Sequence, residues 1–441
     1  MSIITQVADA MQDVLTETAD IIGLETGFIQ RQRKLSGSSY AQTLVFGWLS
    51  NPDATLEELA QTAATLGVVI SPQGLDDRFT PQGSDFLRQM LETGMKAVIA
   101  NEPVAIDVLG RFNGVYIQDS STITLPDALA VIYAGCGGST AKNTSSSVKI
   151  QVRLDLNTGK LAGPYLQPGK EHDRSSVLED MPLPTGALRI ADLGYFSLKH
   201  FSRLNAEGVY WLSKVKSQCD VYDEDGKRWD LLNLLKRRCQ DELDIEILLG
   251  AKERVPCRLL AVRVPDAVAK LRRSKLISEA RREGRKVRKK TLELTKWTVM
   301  CSNIPRELLS LYEAIVLMRA RWQIELLFKL WKSHGHVDEW RSEKPWRILC
   351  EVYAKLLAML IQHWILIAGC WEYPNRSLFK AVKTIQRHAM NLACAFASGS
   401  IERLHEALES IQRCLSVGCR INKRSAIPHT YQLLLALDDS S

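Results

Sequence analysis

The chain has 441 residues, enough for roughly two to four domains. Hydrophobic residues make up 46% and charged residues 24%, which excludes extensive disorder and predicts a large packed core. The formal net charge of +7 is a modest excess, so the position of the basic residues is more informative than their number.

The cysteines and the apolar segments indicate the compartment. Ten cysteines are scattered without a CxxC pair, which is typical of a reducing cytoplasm. The N-terminus lacks the pattern of a secretory signal. The most apolar stretch, Val352 to Cys370, is interrupted by Lys355, Gln362 and His363, which favours a buried helix over a membrane span. We expect a cytoplasmic protein without a membrane partner.

Residues 1–105 predict a helical domain by their regular apolar spacing. Thr55-Leu-Glu-Glu58 has the spacing of a capping box, and its helix should end near Leu66-Gly67. Ser71-Pro72 should begin a second helix. Two short helices around a glycine turn suggest a helix-turn-helix with Pro72 to Phe79 as recognition helix, although an ordinary helical hairpin has the same pattern.

From Val115 onward the pattern predicts strands joined by short turns, with one helix before the last strand. The predicted strands are Val115 to Gln118, Val148 to Leu156, Leu161 to Leu166, Leu188 to Ala191 and Val209 to Leu212. This order indicates a mixed α/β sheet.

Residues 214–305 differ in composition, and from Glu307 to the end the chain is predicted to be helical. Residues 214–305 contain the densest basic cluster of the chain: Lys270, Arg272, Arg273, Lys275, Arg281, Arg282, Arg285, Lys286, Arg288, Lys289 and Lys290. A solvated helix or loop and a nucleic-acid contact both explain such a cluster.

Two aspartates follow apolar strands, Asp119 and Asp192. A carboxylate at a strand end is held by rigid backbone, and two neighbouring carboxylates repel each other unless a cation lies between them. The alternative is that both aspartates only cap turns.

The segment Leu317 to Lys332 places its charged side chains on one helical face. That face carries Met318, Arg321, Glu325, Lys329 and Lys332, and the opposite face carries Ile324, Leu327, Leu330 and Trp331. An amphipathic helix with (i, i+4) salt bridges explains the pattern, and so does a metal-binding Glu325 flanked by phosphate-binding cations.

Arg321-Trp-Gln-Ile-Glu325 followed by Lys332 resembles the tyrosine–arginine–glutamate–lysine signature of the "insertion sequence four" type of bacterial DDE transposases. The tyrosine position is occupied by Met318. Asp119 in Gln-Asp-Ser-Ser and Asp192 in Asp-Leu-Gly-Tyr195 resemble the two aspartates of that family. Weaker resemblances extend over most of the chain: Arg33 to Gly37, Leu56 to Leu59, Asp77 to Phe79, Asn422 to Arg424, Pro428 and Tyr431 to Leu433.

The resemblance implies a fold. It is a ribonuclease H-like α/β catalytic core with a large insertion, flanked by helical N- and C-terminal domains. The core would comprise residues 106–213 and 306–345, interrupted by a basic insertion subdomain at 214–305, with helical regions at 1–105 and 346–441. The separation of Asp192 from Glu325, 325 − 192 = 133 residues, requires such an insertion.

The resemblance also implies a site. Asp119, Asp192 and Glu325 would be catalytic and would bind two Mg²⁺ ions, for which Mn²⁺ would substitute. Arg321 and Lys332 would bind the phosphate. Further DNA contacts would come from Lys329, Lys214 and Lys296, and from Trp297 stacking on a flipped base, whereas the alternative for Trp297 is a core position.

The implied function is cut-and-paste DNA transposition. The partners would be double-stranded DNA, namely the terminal inverted repeats and the target, and a second copy in a homodimeric synaptic complex near the nucleoid. The alternatives are a related nuclease without strand transfer, a domesticated DNA-binding regulator, and an enzyme acting on small phosphate esters, which would not need the basic insertion. His172 and Asp173 resemble a catalytic pair but are predicted to lie in an exposed loop.

Overall fold

The computed structural model describes residues 2–31, 35–137, 145–238, 240–373, 375–421 and 430–438. Arg33, the segment Asn422 to Arg424, and Pro428 therefore lie outside the described residues, as does the side chain of Tyr431. The strands are β1 Val115–Leu125, β2 Ser146–Asp155, β3 Leu161–Pro168, β4 Leu188–Ala191, β5 Tyr210–Lys214, β6 Val221–Tyr222, β7 Arg228–Trp229, β8 Glu242–Leu249, β9 Val255–Arg263 and β10 Trp297–Ser302.

The α-helices occur in three groups along the chain. Before the first strand are α1 Ile3–Leu15, α2 Glu17–Glu25, α3 Gly37–Ser50, α4 Leu56–Thr65, α5 Pro72–Asp76, α6 Pro81–Gly94 and α7 Asp107–Gly110. Between strands lie α8 Val177–Asp180, α9 Leu198–Ala206, α10 Leu231–Arg238, α11 Asp266–Arg282 and α12 Lys289–Leu294. After the last strand are α13 Leu311–Ala320, α14 Trp322–Ser333, α15 Pro345–Cys370, α16 Leu378–Ala397, α17 Ile401–Val417 and α18 Thr430–Asp438.

The local signals in the N-terminal helices are confirmed. Thr55 and Glu58 form the capping box that begins α4, and Gly67 adopts a φ of +83° just after that helix. The Ser71 side chain caps α5 and Pro72 is its first residue. The predicted recognition helix is too long, however, because α5 ends at Asp76 and the next residues turn into α6.

The strands form one sheet in the order β3-β2-β1-β4-β5-β10-β9-β8-β6-β7. β1 runs antiparallel to β2 and parallel to β4, which is parallel to β5. The five predicted strands are confirmed, and residues 157–159 form the turn that leads towards β3. The expectation of short turns is wrong for β1 and β2, which residues 126–145 connect.

Residues 214–305 extend this sheet. β10 pairs antiparallel with β5, and β9, β8, β6 and β7 continue outward from it. A second apolar cluster joins this segment to the residues before it, which contribute Phe201 and Trp211, stacked at 4.1 Å between ring centroids. The segment is therefore joined to the first half of the sheet by backbone hydrogen bonds as well as by the chain.

Helix α15 is the centre of the helical layer. It is 26 residues long and apolar enough to cross a membrane, but its most apolar 18-residue window is 100% buried inside the protein. Helices α1, α3, α6, α16 and α17 pack around it. The prediction of a buried helix is confirmed, because neighbouring helices cover its whole circumference.

A buried ion pair explains the charge inside this apolar helix. Lys355 is 2% exposed, and its Nζ lies 2.8 Å from Glu351 one turn earlier. The same ammonium donates to the backbone carbonyls of His336, at 3.0 Å, and Glu339, at 2.9 Å. Lys355 therefore ties the chain that follows α14 to the helical core.

We predict that Lys355→Met will destabilise the protein by about 3–5 kcal/mol, because Glu351 would remain buried without its cation. The matched control is Arg413→Met, which removes an exposed (i, i+4) pair with Glu409 and should cost less than about 1 kcal/mol. Denaturant unfolding followed by tryptophan fluorescence measures both. Equal losses in the two variants would contradict the structural role of Lys355.

Candidate active site

Neighbouring strands bring Asp119 and Asp192 side by side. Asp119 lies within β1, and Asp192 follows the last residue of β4. In the parallel pairing of these strands Gln118 is opposite Ala191, so the two aspartates occupy the next step of the same register. Parallel strands are about 4.8 Å apart, which places both carboxylates at one crevice.

Helix α14 supplies the third carboxylate. Ile324, Leu327, Leu330 and Trp331 are buried as predicted, and α14 packs on β1 and β2. The predicted continuous helix is interrupted at Arg321, which separates α13 from α14. Met318 is 8% exposed and belongs to the core, so the charged face begins at Arg321. Packing of the apolar side orients Arg321 and Glu325 towards the strands.

Arg321 joins the three carboxylates. Its Nη1 lies 2.6 Å from Asp119 Oδ2, its Nε lies 4.0 Å from Asp192 Oδ1, and its Nη2 donates to Glu325. The guanidinium is 13% exposed. Three acidic side chains from three separate elements thus converge on one cation, although Asp119 and Arg321 are 202 positions apart in the chain.

The electrostatics of Asp119 reflect this crowding. Burial raises the pKa of Asp119 to about 6. The Ser120 amide, which donates to Asp119 Oδ1 at 2.8 Å, and the Arg321 guanidinium lower that pKa, while the charges of Asp192 and Glu325 raise it. The carboxylate form of Asp119 is therefore penalised until more positive charge enters the crevice.

The donor chemistry of the site fits a hard divalent cation, because Mg²⁺ and Mn²⁺ bind carboxylate oxygens. The carboxylates are held apart by Arg321. Among the described residues, a different group has its potential ligand atoms within 4.8 Å of one another. That group is Asp53, His336 and Glu339. Cations would therefore have to replace contacts that Arg321 makes.

The Asp53, His336 and Glu339 group joins two parts of the helical layer. Asp53 precedes α4, and the other two residues lie between α14 and α15. His336 Nδ1 is 2.8 Å from Asp53 and 3.6 Å from Glu339. Both carboxylates are more than half exposed, so the group is a surface ion-pair cluster.

The predicted lysines lie at different distances from the crevice. Lys214 ends β5, and its Nζ is 3.7 Å from Asp192. Lys332 donates to the backbone carbonyl of Thr122 at 2.9 Å, so it is held against β1. Lys329 is exposed one turn after Glu325. Lys214 and Lys332 are therefore at the site, and Lys329 extends it along α14.

The two tryptophans differ in exposure. Trp297 is 9% exposed and packs in the second apolar cluster. Lys296 beside it pairs with Glu293 at 3.3 Å. Trp322, the first residue of α14, is 58% exposed. The core alternative for Trp297 describes its observed position.

One acidic residue near the site was not recognised from the sequence. His172 is exposed as predicted, but the Asp173 side chain is 25% exposed and accepts a hydrogen bond from Ser120 Oγ at 2.8 Å. The prediction of an exposed loop is therefore wrong for Asp173. Its contacts depend on strand pairing, for which the loop sequence contains no signal.

Comparison with protein families identifies one matching domain. The family described as "Transposase DDE domain" matches residues 110–361, which is more than half of the chain. The match includes β1, β4 and α14, so it contains all three carboxylates of the crevice.

Curated relatives have the same description. The transposase for insertion sequence element IS231B of Bacillus thuringiensis subsp. berliner is 29% identical over 76% of this chain and 74% of its own length. The transposase for element IS1151 of Clostridium perfringens is 24% identical over 79% and 77%. The putative transposase InsL for element IS186A of Escherichia coli (strain K12) is 29% identical over 58% and 68%.

We predict that Asp119→Asn will stabilise the metal-free protein above pH 6. An acid whose pKa is raised in the folded state, here to about 6, lowers stability when charged, and this penalty disappears as the pH falls towards the usual pKa of 3.8. The gain should be on the order of 1–3 kcal/mol, since two pKa units correspond to ~3 kcal/mol and Arg321 loses one partner.

Unfolding in EDTA at pH 8 and pH 5 measures this gain, which should shrink at the lower pH. Asp180→Asn is the control because that side chain is 87% exposed. A destabilised Asp119→Asn protein at pH 8 would show that the contact with Arg321 outweighs the desolvation of Asp119.

Proposed function

The chain belongs to the DDE transposases of bacterial insertion sequences of the "insertion sequence four" type, and we propose that it performs cut-and-paste transposition with Asp119, Asp192 and Glu325 as its catalytic carboxylates. It is thus a metal-dependent enzyme that cuts DNA and transfers strands. The observation that supports the residue assignment is the shared contact of the three carboxylates with Arg321.

The three carboxylates would hold two Mg²⁺ ions, for which Mn²⁺ would substitute. When bound, the ions lower the pKa of the attacking water and stabilise the leaving oxygen of the in-line displacement. A 3′-hydroxyl at a cut end then takes the place of water, so the same residues serve strand transfer. Asp119 and Asp192 would supply carboxylate ligands from the strand side of the crevice, and Glu325 would supply one from α14.

Arg321 would change partners during this cycle. Its guanidinium contacts the three carboxylates, and its planar donors equally suit a phosphate. Arg321 would hold the scissile phosphate when divalent ions occupy the carboxylates. Lys332, fixed by the Thr122 carbonyl, and Lys214 would bind the phosphates on either side.

The sheet order supports a ribonuclease H-like core. β3, β2 and β1 are antiparallel neighbours, and β4 and β5 continue in parallel from β1. In this proposal residues 106–213 and 306–345 form the core, 214–305 the insertion, and 1–105 and 346–441 the flanking helical domains.

Two further surfaces would contact DNA, and a second copy of the chain would complete the complex. The basic cluster on α11, α12 and their connection is largely exposed and would bind the DNA backbone. The α4–α5 pair would read the terminal inverted repeats. Joining two ends to target DNA requires two active sites, so the synaptic complex would be a homodimer at the nucleoid.

We predict that Glu325→Gln will abolish cleavage of DNA that carries the terminal repeats, with a loss of at least about 10³-fold in rate, because a neutral amide is a poor ligand for a divalent ion. The matched control is Glu313→Gln on α13, whose carboxylate pairs with Arg111 away from the crevice. Gel analysis should detect a free 3′-hydroxyl and joined product with wild type and Glu313→Gln. Equal cleavage by Glu325→Gln would refute the assignment of the site, and cleavage without joined product would indicate a nuclease.

We also predict that Lys270, Arg281 and Arg282 bind DNA phosphates, since all three are exposed on α11. Replacing them with glutamine should reduce the slope of log affinity against log salt by roughly 1 per side chain. Lys383, Arg387 and Arg413 replaced with glutamine make the same charge change on α16 and α17 and serve as control. An equal loss of slope in both variants would mean that binding follows net charge and has no defined surface.

A further inference from the structure

The segment from Asp173 to Asp180 contacts the two aspartate strands from behind. Side chains alternate along β1, and Asp119 faces Arg321, so Gln118 and Ser120 face the opposite side of the sheet. Ser120 is opposite Gln151 of β2 in the register. The short helix Asp173–Ser175 and α8 lie on that opposite side, where their side chains contact β1, β2 and β4.

Two carboxylates of this segment bind the strands. Glu179 accepts from Gln118 Nε2 at 2.8 Å and pairs with Arg189 of β4 at 2.6 Å. Asp173 accepts from Ser120 Oγ at 2.8 Å. The residues directly before and after Asp119 are therefore both held by acids on the far side of the sheet.

Asp173 also touches the turn that carries Asp192. A Cβ atom added to Gly194 would lie 2.6 Å from Asp173 Oδ2, so the carboxylate packs directly against this backbone. The helical turns Asp173–Ser175 and Leu193–Tyr195 are in contact. A side chain at position 194 would therefore displace the Asp173 carboxylate.

The position of Asp173 is itself fixed from β2. Lys149 Nζ lies 3.1 Å from its Oδ1, and Gln151 Nε2 donates to the same atom at 3.3 Å. Tyr195, which is 1% exposed, donates to Gln151 in turn. These contacts with β2, together with the hydrogen bond from Ser120 of β1, fix the position of the Asp173 carboxylate.

We propose that Asp173 is a positioning residue that sets the spacing of Asp119 and Asp192. It holds the residue that follows the first aspartate and the turn that follows the second, and it reaches neither reacting group itself. The inference rests on the proposed function, in which these aspartates share divalent ions. Side chains that orient metal ligands typically contribute 10–100-fold to metal affinity or activity.

The test compares Asp173→Ala with Asp173→Asn and with Asp127→Ala as matched control. Asp127 also begins a short helical turn and accepts from a serine, Ser145 Oγ at 2.8 Å, but it follows the far end of β1. Asp173→Ala should cleave terminal-repeat DNA about 10–100-fold more slowly and should require more Mg²⁺, with unchanged DNA affinity. Asp173→Asn keeps an acceptor for Ser120 and should restore most of the rate.

Two further measurements separate positioning from loss of fold. Binding of Mn²⁺ to the protein–DNA complex, followed by electron paramagnetic resonance, should weaken by a similar factor in Asp173→Ala and not in Asp127→Ala. The double variant Ser120→Ala/Asp173→Ala should cleave DNA at the same rate as Asp173→Ala alone, because both substitutions remove the same hydrogen bond between Ser120 and Asp173.

The outcomes distinguish this inference from the proposed function. If Glu325→Gln is inactive while Asp173→Ala matches Asp127→Ala in rate and in Mn²⁺ binding, the positioning role is wrong and the site assignment stands. If Glu325→Gln remains active, the site assignment itself fails. If Asp173→Ala loses DNA affinity or unfolds while Asp173→Asn stays as impaired as Asp173→Ala, Asp173 has only a structural role.

Discussion

Mutual repulsion of three carboxylates in a half-buried crevice is the constraint on which the rest of the structure depends. Asp119, Asp192 and Glu325 come from two strands and a helix. Arg321 contacts all three carboxylates, and Lys214 also lies close to Asp192. Burial is the main cause of the raised pKa of Asp119, and the charges of Asp192 and Glu325 add to it. Positive charge in the crevice would therefore favour the ionised form of the carboxylates, and divalent ions are expected to supply that charge.

The sheet transmits that constraint in two directions. On one face, α14 is held by its apolar side chains so that Glu325 and Arg321 meet the strands. On the other face, the segment from Asp173 to Asp180 binds the residues beside Asp119 and the turn after Asp192. Beyond β5, the sheet continues through β10 into the basic half, which places the proposed DNA-binding helix α11 on the same rigid frame as Lys214. Helix α15 binds the chain that follows α14, because Lys355, which pairs with Glu351, donates to the His336 carbonyl.

Much of the site could be predicted because its signals are local. Strand patterns located Asp119 and Asp192, and helical spacing placed Arg321 and Glu325 on one face. The contact of Arg321 with Asp119 was not predictable, because it joins residues 202 positions apart. The sequence left Trp297 open between a core position and a base contact, and it did not reveal the contacts of Asp173, since both depend on which strands are neighbours.

The sequence by itself determined the local elements, such as the capping box at Thr55 and Glu58 and the apolar stripe of α14, because these depend on neighbours within a few positions along the chain. It also determined the family, through a short spaced signature and the relatives that match it. Only the tertiary structure decided that residues 214–305 continue the sheet, that Arg321 lies among the carboxylates and that Asp173 supports them from behind. Strand register and packing between distant segments set those contacts, and they have no signature in local sequence.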